Sequence, residues 1–139
     1  METQNLITQE FKGLLQALWS AEKQLTEAMP AMIEKSAHLG LTKNLAMHLA
    51  ETDQHKVAIE AICKTLGFEH EGEANEEMKA LLAEGQQKLA GVSPGDEGDA
   101  VIIEGAIQIE HYEIEQYTAA GDMAEAMGYE GIARRLRLT

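Results

Sequence analysis

Long stretches of this sequence carry apolar residues at alternating spacings of three and four, which is the spacing of one face of an α-helix. Alanine, leucine and methionine are frequent, with 20, 15 and 7 residues, whereas aromatic residues make up only 4% of the 139 residues. Such side chains suit closely packed helices, and a β-sandwich or barrel would lack its usual strand formers. The sequence therefore predicts an all-α protein, and its length suits a single domain over residues 1–139.

Glycine and proline divide this helical pattern into five segments. The predicted helices cover residues 6–38, 43–66, 75–90, 100–127 and a last segment that begins at residue 129. Gly40 is expected to end the first helix and Thr42 to cap the second, while Pro30 predicts a kink or a local loss of hydrogen bonding. Because short connections favour antiparallel neighbours, we expect a helical bundle.

The charge of the chain excludes several functions. Lysine and arginine total 11 against 24 aspartates and glutamates, so the net charge is −13. This acidity argues against nucleic acid and against anionic lipid as partners, because both require a basic surface. No uninterrupted apolar stretch is long enough for a membrane helix. Cys63 is the only cysteine, so a reducing compartment is expected and we predict a soluble cytoplasmic protein.

Acidic residues interrupt the apolar stripes of three predicted helices. The first helix has one glutamate among six apolar residues, the second has a glutamate one turn from a histidine, and the fourth has a Glu-x-x-Glu pair. In chain order they are Glu22, Glu51 with His55, and Glu110 with Glu113. An isolated ionised carboxylate in a core costs on the order of several kcal/mol, and lysine and arginine are nearly absent from these stripes. The carboxylates must therefore be paired, protonated or bound to a cation.

This inventory is typical of the carboxylate-bridged di-iron and di-manganese sites that bundle helices form. Oxygen ligands with a few imidazoles suit such metals, and four inward glutamates would balance two divalent charges. We predict two divalent transition-metal ions, iron in the first place and manganese or zinc as alternatives, bound by Glu22, Glu51, His55, Glu110 and Glu113. The alternative is that a modest rotation of the helices leaves these glutamates in solvent. Tyr117 is interpreted as a packing residue or as a neighbour of the ligands.

Three motifs resemble the YciE/YciF-type family of ferritin-like proteins. They are Ser20-Ala21-Glu22-Lys23-Gln24-Leu25, then His48-Leu49-Ala50-Glu51-Thr52 with His55, and Ile109-Glu110-His111-Tyr112-Glu113-Ile114 with Tyr117. The resemblance implies a ferritin-like antiparallel four-helix bundle with a short extra helix, often a homodimer. It also implies metal ligands at Glu22, Glu51, Glu110 and Glu113, with His55 in addition, and a link to bacterial stress responses.

The chain departs from this family in two places. Ala50 stands where some relatives carry an acidic residue. The family also continues beyond the position of Thr139 with a glutamate-rich stretch of its last helix. The last helix here is therefore expected to be truncated at about three turns, unless a partner chain completes the bundle.

Two functions follow as hypotheses. The first is a di-metal protein that oxidises Fe(II) or consumes O₂ or peroxide, although catalysis rests on the resemblance alone. The second is a non-enzymatic dimeric bundle that acts as a structural or interaction module. Its core glutamates would be protonated or hydrogen-bonded, and any metal would be incidental.

Overall fold

The computed structural model describes residues 2–139, with side chains from residue 5 onward, so Met1 of the predicted domain lies outside the described part. Every regular element in this part is a helix, which confirms the all-α prediction. The five helices are α1 (Glu2–Lys35), α2 (Leu39–Leu66), α3 (Glu76–Ala90), α4 (Asp96–Ala126) and α5 (Glu130–Arg137). Helix α1 packs against both α2 and α4, α3 lies across α1 and α4, and α5 folds back on α4.

Local signals explain most of the helix boundaries. The side chain of Asn75 accepts a hydrogen bond from the N–H of Met78 and caps α3. Helix α2 ends at Leu66, as predicted, because Gly67 adopts a left-handed conformation with φ of 76°. The predictions for Gly40 and Thr42 were wrong, since both residues lie inside α2 and His38 is its N-cap residue.

The turn between the first two helices lies before Gly40 because of a contact with a residue that is distant in sequence. Helix α1 runs through Pro30 and ends at Lys35, and α2 begins at Leu39. The carboxylate of Asp99, at the start of α4, accepts hydrogen bonds from the N–H groups of Ala37 and His38. This contact fixes the turn between the two helices several residues earlier than the glycine predicted.

The buried side chains form two separate clusters along the bundle. The first, called here the α5 core, contains Phe11, Leu15, Leu18, Trp19, Ile59, Ile62, Cys63, Tyr117, Ala120, Ala124, Ala133 and Leu136. The second, called here the α3 core, contains Ala21, Leu25, Met29, Leu45, Met78, Ile102 and Ile109. The boundary between the two cores crosses α1, α2 and α4 near the middle of each helix, and there the polar side chains lie.

Helix α3 is held in place by a polar network at its first turn. The N–H of Asn75 donates to the hydroxyl of Ser20 over 2.8 Å, and its side-chain amide exchanges hydrogen bonds with the Tyr112 hydroxyl over 2.8 and 3.0 Å. These contacts attach α3 to α1 and α4 together. None of the helices in the described residues is both long enough and apolar enough to cross a membrane.

Candidate metal centre

Three helices bring one polar residue each to the boundary between the two cores. Glu22 comes from α1, His55 from α2 and Glu113 from α4, and one potential ligand atom of each lies within 4.8 Å of the other two. On α1, Glu22 lies between Leu18 of the α5 core and Leu25 of the α3 core. The fold thus turns three positions that are far apart in sequence into one cluster.

Glu22 is the centre of this cluster and is fully buried, with 0% of its surface exposed. Its Oε2 atom lies 3.1 Å from Nδ1 of His55, but its Oε1 atom has no hydrogen-bond partner. Burial raises the pKa of Glu22, which the nearby Glu113 carboxyl and Tyr117 hydroxyl only partly offset. A carboxylate in this environment is unstable as a free anion and needs a proton or a cation.

Burial also shifts the pKa values of Glu113 and His55. Burial, followed by the neighbouring Glu22, raises the pKa of Glu113 to about 9. Burial lowers the pKa of His55, although the charges of Glu113 and Glu51 oppose this effect. Near neutral pH the two carboxyl groups therefore retain a proton between them, and His55 is a neutral imidazole. A neutral imidazole is the form that binds metals.

Glu51 and Glu110 lie at the mouth of the site rather than inside it. Both line a pocket of about 260 Å³ between α2 and α4, together with His55 and Glu113, yet both side chains are exposed. The expectation that these two glutamates point inward was wrong. Helices α2 and α4 flank the pocket and do not pack closely on each other, so residues that face it meet solvent. Their role as metal ligands remains a prediction.

His48 accompanies Glu51 at the mouth of the pocket. Its Nδ1 atom lies 3.8 Å from Glu51 Oε2, and about half of each side chain is exposed. These two residues therefore stand apart from the buried Glu22, and they do not belong to the group of three whose ligand atoms converge.

Tyr117 lies beside the cluster of Glu22, His55 and Glu113, although the sequence pattern alone equally allowed a packing role for it. It follows Glu113 by four residues on α4, is 5% exposed, and its ring meets the His55 ring edge to face with centroids 6.1 Å apart. Its hydroxyl has no hydrogen-bond partner. Burial, and then the charges of Glu22 and Glu113, raise the pKa of this phenol, so it keeps its proton. Two signals in the sequence pointed to it, namely its spacing one turn from Glu113 and its place in the third family motif.

The cluster fits a divalent transition-metal ion. Two carboxylates and one neutral imidazole are donors that iron, manganese and zinc accept. The unpartnered Oε1 atom of Glu22 is a buried acceptor that a cation would satisfy. Apolar residues of both cores surround the three side chains and limit the access of water to one side.

Comparison with known proteins identifies close structural relatives. The family model described as "Domain of unknown function (DUF892)" matches residues 7–139. Protein YciF of Escherichia coli (strain K12) is 29% identical over 137 residues, which are 93% of this chain and 78% of that protein. The solved structure of YcfI from Rhodopseudomonas palustris, for which a structural role has been suggested, is 29% identical with a TM-score of 0.90 and covers 94% of this chain and 83% of its own.

A second solved structure gives the same result. The E. coli stress protein YciF superposes with a TM-score of 0.87 at 26% identity, over 94% of this chain and 85% of the YciF chain. These similarities extend over nearly the whole chain. They confirm the predicted ferritin-like bundle and the resemblance on which it was based.

Proposed function

The chain belongs to the DUF892 family, and from this premise we propose that it is a cytoplasmic, stress-linked ferritin-like protein that binds divalent transition-metal ions between α1, α2 and α4. The similarity to YciF, which is described as a stress protein, supports the physiological setting. The metal itself is inferred from the chemistry of the cluster and not from the relatives.

One observation carries this proposal, namely the burial of Glu22 with an oxygen atom that has no partner. A carboxylate that served only to stabilise the fold would be surrounded by donors, because an unpaired buried acceptor destabilises a protein. Glu22 instead faces a second carboxyl group and a neutral imidazole. This arrangement is unfavourable by itself and becomes favourable when a cation joins it.

We propose iron as the first metal, with manganese or zinc as alternatives, and two ions per chain. Glu22, His55 and Glu113 would hold the first ion. Glu51 and Glu110, which line the same pocket from its exposed side, would supply oxygen ligands to the second. Iron held by these residues would supply one-electron chemistry with O₂ or peroxide as the oxidant, so oxidation of Fe(II) is the reaction class that we propose.

The residues of the chain have separable roles in this function. Glu113 holds the proton that a cation would displace, because its raised pKa keeps it protonated near pH 7. His55 offers an imidazole nitrogen without first losing a proton. Leu25 and Met29 form an apolar wall of the pocket and exclude water from one side of the ligands.

An anaerobic Fe(II) titration with elemental analysis tests the proposal. We expect close to two metal ions per chain, and a loss of affinity of more than about 100-fold in Glu22→Gln, which keeps the size of the side chain but removes the ligand charge. Glu27→Gln is the matched control, because Glu27 is an exposed glutamate on the same helix. Absence of binding in the wild type, or equal binding in Glu22→Gln, would refute the proposal.

A second candidate function is a dimeric structural module without a functional metal. The structural role suggested for YcfI favours it, as do the exposed apolar residues Ile103, Ile107 and Ile114 on α4. Sedimentation of the protein with and without a chelator separates the two functions. A stable homodimer that binds no metal would support the second function and contradict the first.

A further inference from the structure

Two buried side-chain atoms lack a hydrogen-bond partner in the part of the chain that the structure describes, and both lie at the candidate metal centre. One is an acceptor, Oε1 of Glu22, and the other is a donor, the hydroxyl of Tyr117. An unpaired hydroxyl in a protein core lowers stability, and a phenylalanine at the same position would avoid this cost. The hydroxyl of Tyr117 is therefore poorly explained by packing alone.

The placement of Tyr117 connects it to every member of the cluster. Tyr117 lies one turn beyond Glu113 on the same face of α4. Its ring and the ring of His55 are in edge-to-face contact. Its hydroxyl is the unpartnered buried donor and Oε1 of Glu22 is the unpartnered buried acceptor of the same cluster, in which Glu22 contacts His55 and His55 contacts the Tyr117 ring. A phenol hydroxyl can donate a hydrogen bond to a carboxylate.

We propose that Tyr117 is a positioning residue whose hydroxyl donates a hydrogen bond to the Glu22 carboxylate and so fixes the orientation in which Glu22 meets the cation. This inference rests on the proposed function. It assigns separate tasks to the two parts of one side chain. The ring packs in the α5 core with residues such as Leu15 and Ala120, whereas the hydroxyl serves the ligand.

Tyr112 provides a matched comparison on the same helix. Its hydroxyl exchanges hydrogen bonds with the Asn75 amide and belongs to the network that holds α3 in place. Removal of this hydroxyl takes one partner from each polar atom of the Asn75 side chain, which keeps its hydrogen bonds to the carbonyl of Ala17 and from the N–H of Met78. The same tyrosine-to-phenylalanine change, made at two positions on α4, thus separates a structural hydroxyl from a positioning hydroxyl.

Co²⁺ is a suitable probe, because its visible absorption bands respond to coordination geometry. We expect Tyr117→Phe to bind Co²⁺ about 10-fold more weakly than the wild type, with a changed visible spectrum. Its melting temperature in the presence of a chelator should equal or exceed that of the wild type. Tyr112→Phe should melt at a lower temperature and bind Co²⁺ with unchanged affinity and an unchanged spectrum.

The outcomes distinguish this inference from the proposed function. If Glu22→Gln loses Co²⁺ while Tyr117→Phe binds it with the affinity and spectrum of the wild type, the role of Tyr117 is refuted and the metal site stands. If the wild type binds no Co²⁺, the proposed function itself fails. A fall in melting temperature in Tyr117→Phe as large as that in Tyr112→Phe would show a structural hydroxyl and would also overturn the inference.

Discussion

Two pairs of a buried carboxylate and a histidine occur among the side chains that the structure describes, and the two pairs have opposite properties. Asp99 at the start of α4 is 5% exposed and accepts hydrogen bonds from the N–H of Ala37 over 2.8 Å, from the N–H of His38 over 3.0 Å, and from the His38 imidazole. Glu22 is 0% exposed and has His55 on one oxygen and no partner on the other.

The number of donors explains the difference between the two carboxyl groups. The N–H of Ala37, aided by His38, lowers the pKa of Asp99 despite its burial. Burial raises the pKa of Glu22, because too few donors oppose it. Asp99 is thus stable as an anion and joins the α1–α2 turn to α4, whereas Glu22 is kept without the donors that would stabilise its charge. The first pair contributes to the fold, and the second leaves a buried acceptor without a partner.

The largest expected effect concerns protons released on metal binding. Because the pKa of Glu113 is raised to about 9, this group is protonated at neutral pH and must lose its proton when a metal binds. Affinity for Co²⁺ should rise about tenfold per pH unit below pH 9, which is about 100-fold between pH 6 and pH 8. Calorimetry in two buffers of different ionisation enthalpy should detect about one proton released at pH 7 by the first ion, which Glu113 would hold.

Two variants control this measurement. Glu113→Gln should bind Co²⁺ more weakly and with a flatter dependence on pH, because the titrating group is gone. Asp99→Asn should retain the slope of the wild type, since Asp99 lies outside the cluster. An affinity that does not change between pH 6 and pH 8 would contradict the raised pKa of Glu113 and weaken the contrast between the pairs.

Replacing each carboxylate by an apolar residue should change the free energy of unfolding in opposite directions, with a smaller effect than the change in metal affinity. Glu22→Met should increase the free energy of unfolding without metal by about 1–3 kcal/mol, because it removes an unpaired buried acceptor. Asp99→Ala should decrease it, because the N–H groups of Ala37 and His38 lose their acceptor. Denaturant unfolding in the presence of a chelator measures both changes. If both variants are destabilised, Glu22 is a structural residue like Asp99 and the comparison fails.

The sequence predicted the presence of the helices and the burial of Glu22 correctly. It predicted the start of α2 and the placement of Glu51 and Glu110 less well. Glu22 was identified because six apolar residues surround it in one stripe, and such a local pattern survives folding. Glu51 and Glu110 were expected to point inward because a helical wheel assumes a packed neighbour, whereas α2 and α4 are separated by a pocket. Asp99 was missed because its donor Ala37 is 62 residues away and no local pattern signals that contact.

The smallest effect expected concerns the dependence of stability on pH at the Asp99–His38 pair. The pKa of Asp99 is lowered below its usual value of 3.8. The contribution of Asp99 to the free energy of unfolding is therefore complete above pH 3.8 and is lost as pH falls through the lowered pKa. The hydrogen bond to Asp99, and then the charges of Asp99 and Asp96, raise the pKa of His38 above 6.5. The contribution of His38 is therefore complete below pH 6.5 and is lost as pH rises through the raised pKa.

Both contributions are present together between about pH 4 and pH 6.5. The difference in melting temperature between the wild type and Asp99→Asn should be largest in this window, and it should narrow as pH rises through the raised pKa of His38. Asp96→Asn, which changes the exposed second neighbour of His38, should produce a smaller shift with the same sign. A difference that stays constant from about pH 5 to beyond the raised pKa of His38 would mean that the backbone donors alone hold Asp99. His38 would then contribute no charge to the pair, and the number of hydrogen-bond donors would by itself explain why the pKa of Asp99 is lowered and that of Glu22 is raised.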